Sequence, residues 1–183
     1  MQKGKDDLLP QIASHLDKHP DARAKLSDKV KNMMASVKII TGKKAPDLML
    51  KAPVRTQTGR SAQDITLKTG KLDADYTILL FYQGECQLCE DALIDLANKY
   101  KWLTEYNVRV IAISADETEQ GFEKKLAYHQ WPDNYCDFTG MGGMNFKNYG
   151  VLGVPTLYLL DQEGIILEKT AMVNDVLKTL ETR

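Results

Sequence analysis

Thr77-Ile-Leu-Leu-Phe-Tyr82-Gln-Gly84-Glu-Cys86-Gln-Leu-Cys89, continuing through Leu93, Leu96, Tyr100 and Leu103, is the stretch whose reading decides the fold. Six residues rich in branched and aromatic side chains, ended by Gln83-Gly84, predict a buried strand. Beyond the second cysteine the apolar residues recur every three or four positions, as one face of a helix does. The period therefore changes between Tyr82 and Cys86, and two thiols stand at a strand-to-helix junction. Free N–H groups of the first helical turn can point at Cys86 there and stabilise its thiolate.

Two cysteines three apart also occur as half of a zinc site, which needs two further Cys or His ligands. Cys136, His15, His19 and His129 are what remains. None forms a second close pair near this helix, since His15 and His19 lie in a segment that reads as separate. Inert core cysteines are the other bland reading. A redox pair of the thioredoxin type is favoured over both, because C-x-x-C stands in a βαβ setting.

The second informative stretch is Gly150-Val-Leu-Gly-Val-Pro-Thr-Leu-Tyr-Leu-Leu160. Pro155 precedes the apolar strand Thr156–Leu160, where a sheet tolerates proline. Asp161-Gln-Glu-Gly164 predicts a turn, with Ile165–Glu168 returning as the partner strand.

With these motifs in this order, the chain resembles the TlpA/ResA-like thiol–disulfide oxidoreductases of the thioredoxin superfamily. Ala45-Pro-Asp-Leu48 and Ser114-Ala-Asp116 fit the same pattern, and the resemblance covers about residues 42–183. It implies an α/β, thioredoxin-like fold with a central mixed sheet flanked by helices. It also implies that Pro155 is a cis-proline facing the disulfide, with the Val154 backbone available to an extended substrate. Three positions depart from the pattern. Glu85 stands where the family usually has Trp, Gln87-Leu88 separates the thiols, and Ala92 replaces a buried Glu three residues after the second Cys. Asp91 or Glu90 could take over that carboxylate's work, although first-turn acids usually complement the helix dipole.

Around this centre, residues 1–41 read as a helical N-terminal extension and 42–183 as the thioredoxin-like domain. Leu8, Ile12 and Leu16 form one apolar stripe; Leu26, Val30, Met33 and Val37 form another. Pro20 ends the first helix and Asp21 caps the second. The stripes pack on the domain or form a partner-docking arm, and Gly42–Pro46 is the linker. Two short strands, about 47–51 and 64–67, flank Pro53 and a turn at Thr58-Gly59-Arg60. The redox helix spans about 87–104, a strand covers Val108–Ser114, and a second helix covers Glu119–His129. Residues 130–153 form an insert with Cys136 on a short strand and a helix near Gly143–Tyr149. Ala171–Leu180 closes the chain. Cys136 reads as a buried, inert thiol, with a resolving or regulatory role as the alternative. His129 reads as structural, favoured by the helix dipole.

The 183 residues are 43% apolar, enough for one domain and an extension. A net charge of −1 with lysines scattered among acids argues against a nucleic-acid partner. No apolar run approaches a membrane span, and no signal peptide follows Met1-Gln2-Lys3. A domain of this kind commonly faces an oxidising compartment. The expectation is a periplasmic or otherwise extracytoplasmic protein whose leader the chain lacks, with a cytoplasmic place as the alternative.

The expected reaction is reduction of protein or peptide disulfides, with an electron-donor protein as second partner and neither cofactor nor metal. Cys86 attacks and Cys89 resolves. Glu85, Glu90 and Asp91 oppose the helix terminus at the Cys86 anion, which points to a reductant-like couple. Rival readings are a Sco-like copper-handling protein and a redox-inactive or sensory binding module.

Overall fold

The computed structural model describes residues 8–56 and 59–183. The helices are α1 Leu8–Asp17, α2 Pro20–Ala24, α3 Asp28–Ser36, α4 Gln87–Glu105, α5 Glu119–Leu126, α6 Met144–Tyr149 and α7 Val173–Glu181. The strands are β1 Leu48–Thr56, β2 Gly59–Leu67, β3 Tyr76–Tyr82, β4 Val108–Ser114, β5 Asp133–Cys136, β6 Thr156–Asp161 and β7 Ile166–Thr170. A five-stranded sheet runs β5-β4-β3-β6-β7, and β1-β2 forms a separate antiparallel ribbon. The β3/β4 and β4/β5 pairs are parallel, while β6 lies antiparallel to both β3 and β7. This is the mixed sheet of a thioredoxin-like fold.

β3 is the central strand and is buried from Thr77 to Tyr82. Its alternation sends Ile78, Leu80 and Tyr82 to one face and Leu79 and Phe81 to the other. Both faces are covered, so the run is continuously apolar rather than alternating. On the first face, α4 brings Cys89, Leu93, Leu96 and Leu103, and α7 brings Val176 and Leu180. On the second, Phe81 packs against Phe146, Tyr149 and Tyr158 with ring centres 5.1, 5.1 and 5.9 Å away. Burial of a cluster this size is what fixes α6 to the sheet. Tyr149 Oη donates to the Pro46 carbonyl at 2.6 Å, so the same cluster holds the segment leading into β1.

Several sequence expectations change. The ribbon strands are nine residues each, not four or five, because backbone pairing continues through Pro53↔Ala62 regardless of side-chain pattern. Gly59 and Arg60 belong to β2, and Thr58 lies outside the described residues. The segment Gly42–Pro46 is more than a linker: Gly42 N–H donates to Ile166 O, Ile166 N–H to Lys43 O and Ala45 N–H to Gly164 O, at 2.7–2.9 Å.

Before the ribbon the described residues form three helices. Pro20 opens α2 at its first turn rather than only ending α1, and Asp21 sits inside that turn rather than capping it. Ser27, whose hydroxyl accepts from Val30 N–H, caps α3. The buried face is also rotated from the expected stripe. Ile12 and Met33 are exposed, whereas Ala13 is 1% exposed and lets the helices approach closely. α3 lies across α6 at Gly150, whose φ is +59°. A Cβ there would stand 2.2 Å from Ser36 N. Lys169 of β7 donates to the Ser36 and Ile39 carbonyls at 3.2 Å each, satisfying the C-terminal end of α3.

Candidate active site

Gly84, Glu85 and Cys86 turn the chain from β3 into α4, and Cys86 is the N-cap. Its Sγ accepts the Cys89 N–H at 3.2 Å, taking the place of the side-chain oxygen of an ordinary cap. Cys86 is half-buried and Cys89, one turn in, is fully buried; both are free thiols. Across from them the Val154-Pro155 peptide is cis, Pro155 is buried, and the Cys86 thiol points to the Val154 carbonyl at 3.7 Å. The four residues singled out in the sequence thus meet at one end of the sheet. Leu88 and Leu152 beside them are exposed.

Burial pushes the Cys89 thiol up to about 12, helped by its hydrogen bond with Cys86 and by the Asp116 charge. The acids of the first turn behave differently from expectation. Glu90 is no free dipole complement: it accepts from Lys125 Nζ and, at 3.1 Å, from Tyr128 Oη. The Lys125 ammonium holds its carboxyl below the usual range. A cation absent from the motif itself therefore reaches the site from α5. Asp91 is exposed and accepts from Gln87 at 3.2 Å. Ala92 packs in the core.

The carboxylate that sequence reasoning missed is Asp116, 5% exposed just past the end of β4. Oδ1 accepts the Gly84 N–H at 3.0 Å and Oδ2 accepts the Ser114 hydroxyl at 2.6 Å. Ser114-Ala-Asp116 served only as a strand-end signature. The available signal was its position, since sites in open α/β sheets gather at the C-terminal ends of parallel strands. The Tyr82 phenol is raised by burial and then by the Asp116 charge. Cys136 is buried beside the same group, its thiol donating to Asp116 O at 3.2 Å, and burial raises it too.

His129 lies beyond α5, which stops at Leu126, so the dipole argument does not apply. It stacks on Trp131 at 5.1 Å and meets the Tyr82 ring edge-on at 5.4 Å. Burial holds it neutral down to about 4. Among the described residues no group of three or more His, Cys, Asp or Glu is placed to hold a metal ion. No helix among them is long and apolar enough to cross a membrane.

The chain is similar to known proteins in sequence and in fold. Thiol-disulfide oxidoreductase ResA of Bacillus thuringiensis subsp. konkukian is 28% identical over 132 residues, covering 72% of this chain and 70% of that protein. Human nucleoredoxin is 25% identical over 128 residues, 68% of this chain but 28% of the longer protein. Among solved structures, a thiol-disulfide oxidoreductase from Bacteroides fragilis superposes with a TM-score of 0.62 at 24% identity, covering 76% of this chain and 98% of that one. The AhpC/TSA family profile matches residues 41–169, which takes in the ribbon, the dithiol, the cis-proline loop and most of the β6–β7 hairpin. The superposition shows a thioredoxin-like fold, and the match over residues 41–169 shows that the chain belongs to the AhpC/TSA family.

Proposed function

We propose that this chain reduces disulfides in proteins or peptides through a Cys86–Cys89 dithiol/disulfide couple. The observation that carries the reading is the cap itself. Cys86 Sγ stands at the helix terminus, takes the Cys89 N–H and faces the Val154 carbonyl, while Cys89 is sealed behind it. The reacting form is the Cys86 thiolate, at which the Cys89 N–H points. It attacks one substrate sulfur, the substrate disulfide breaks, and the leaving sulfur takes a proton. Cys89 then gives up its proton and attacks Cys86 Sγ, and the second substrate sulfur leaves and takes a proton. Two electrons pass to the substrate and the dithiol becomes a disulfide.

Val154 and Pro155 are the substrate-binding residues in this reading. An extended chain adds beside the Val154 backbone as a strand, and Pro155 brings no N–H to compete. An electron-donor protein returns the couple to the dithiol. Such a reductase works where disulfides persist, which favours a place outside the cytoplasm. Residues 1–41 are taken as a helical extension of a catalytic domain at 42–183, a division supported by the start of the family match at residue 41.

The test is reduction of insulin by dithiothreitol. The wild-type chain should accelerate it and Cys86→Ser should not; acceleration that survives loss of Cys86 refutes the assignment. The couple should poise nearer roughly −270 mV than roughly −120 mV, and equilibration with glutathione and dithiothreitol measures it.

A further inference from the structure

Glu85, Glu90 and Asp91 stand around the start of α4, but their charges are not equally available. Glu90 accepts from Lys125 Nζ and Tyr128 Oη, so a cation already answers it. Asp91 lies further along the helix and accepts from Gln87. Glu85 is exposed, and among the described residues no hydrogen bond or ion pair engages its carboxylate.

The backbone fixes that charge beside the reacting sulfur. Cys86 N–H donates to Gln83 O at 3.3 Å, closing a turn with Gly84 and Glu85 at its corners. Glu85 is therefore the immediate neighbour of the N-cap residue whose thiol points to the Val154 carbonyl. The facing wall carries neither sign: residues 150–160 contain no charged side chain, and Leu88 and Leu152 are exposed and apolar. A substrate settling between α4 and the Val154 loop meets an unanswered negative charge on one side and an uncharged wall on the other.

We propose that Glu85 sets the substrate preference of the dithiol, favouring disulfides with a positive charge near the attacked sulfur, an inference that rests on the dithiol reading above. In a protein substrate that charge is a Lys or Arg two positions from the half-cystine, since alternate side chains of a strand added beside Val154 share one face. A unit charge about 6–7 Å away in water-like surroundings changes a rate about threefold, upward for a cation and downward for an anion. Disulfides of opposite sign should therefore separate about tenfold on this one residue. The chemistry is the same for both: the substrate disulfide becomes two thiols and the dithiol becomes a disulfide, with two electrons and two protons passing to the substrate.

The probes are cystamine, 2-hydroxyethyl disulfide and 3,3′-dithiodipropionate, which at pH 7 are cationic, uncharged and anionic. The reduced full chain is mixed with each at low ionic strength, and loss of its thiols is followed by acid quench, alkylation and mass spectrometry. Each rate is divided by that of 2-mercaptoethanol with the same disulfide, which removes differences among the leaving thiols. Cystamine and dithiodipropionate are compared on one protein, so any change in the nucleophile itself cancels.

Wild type should prefer cystamine about tenfold or more, and Glu85→Gln should lower that preference about fivefold or more. Asp95→Asn removes the same unit of charge further along α4 and should lower it less than about twofold. At 1 M salt the wild-type preference should fall within about twofold. A wild-type preference already within twofold at low salt, one that survives 1 M salt, or equal shifts from Glu85→Gln and Asp95→Asn overturn the proposal. A wild-type chain left unoxidised by 2-hydroxyethyl disulfide sinks the dithiol reading itself, and is told apart because that probe carries no charge.

Discussion

Cys86→Ser, in a chain also carrying Cys136→Ala, leaves Cys89 as the only thiol, and its reactivity follows from its surroundings. The thiol is raised from 9.0 to about 12, chiefly by burial. The hydrogen bond from Cys86 is a smaller cause, and the serine hydroxyl can replace it. Three units leave about a thousandfold less thiolate at pH 7 than an ordinary cysteine has. The more basic thiolate is the better nucleophile, and a Brønsted slope of about 0.4–0.5 returns roughly 16- to 32-fold. The net deficit is about 30- to 60-fold, before any shielding of a sulfur that is 0% exposed. The assay is pseudo-first-order reaction with Ellman's reagent at pH 7 beside an unstructured cysteine peptide. Cys89 should lag by at least about 30-fold. Reaction within about threefold of the peptide would refute the assignment of Cys89 as the sheltered, resolving thiol. The reciprocal variant, Cys89→Ser, should trap a long-lived mixed disulfide on Cys86. A short-lived adduct would give Cys136 the resolving role that its burial argues against.

His129 has an acid signature. Its folded value near 4 lies below the ordinary 6.5, so its stabilising contribution is complete above pH 6.5 and is lost as pH falls through 4. For a residue that is only partly buried this is about 2–3 kcal/mol at most. Denaturant melts of wild type and His129→Phe should therefore diverge in slope against pH across that window, and parallel curves would contradict the burial argument. Gly84→Ala should cost about 1–3 kcal/mol and slow insulin reduction, because its methyl meets Asp116 and Gly121; unchanged turnover argues against a tight fit there. Gly150→Ala should pry α3 from α6 and speed proteolysis within residues 8–41 while insulin reduction continues, since its Cβ would meet the Ser36 backbone.

The centre of the fold was legible because the hydrophobic period switches between Tyr82 and Cys86, a purely local signal. The hairpin was legible for a similar reason: Gly164, at φ +79°, and the Asp161 carboxylate, which takes the Ile165 N–H at 2.7 Å, make the turn from neighbouring residues. Asp116 was not legible as a site residue. Its meaning depends on β4 pairing with β3 so that Ser114 stands opposite Tyr82, and no periodicity reports which strands are neighbours. His129 failed likewise, its neutrality coming from Tyr82 and Trp131 rather than from its own helix. The Glu90–Lys125 pair spans 35 positions and was equally out of view. The break between α2 and α3 was different, because Ser27 ahead of an apolar-periodic run is a local cap signal that the longer stripe obscured.

The bonds from Lys169 to the end of α3 span 133 and 130 positions. Made on a ribosome, α3 emerges 130 or more residues before the lysine that satisfies its end. Helices of nine or ten residues have little stability of their own. While those residues are being made, the helices wait without that anchor, exposed to chaperones and proteases. The end of α3 gains these bonds only once β7 is made, and loss of the β6–β7 hairpin would leave it without that anchor.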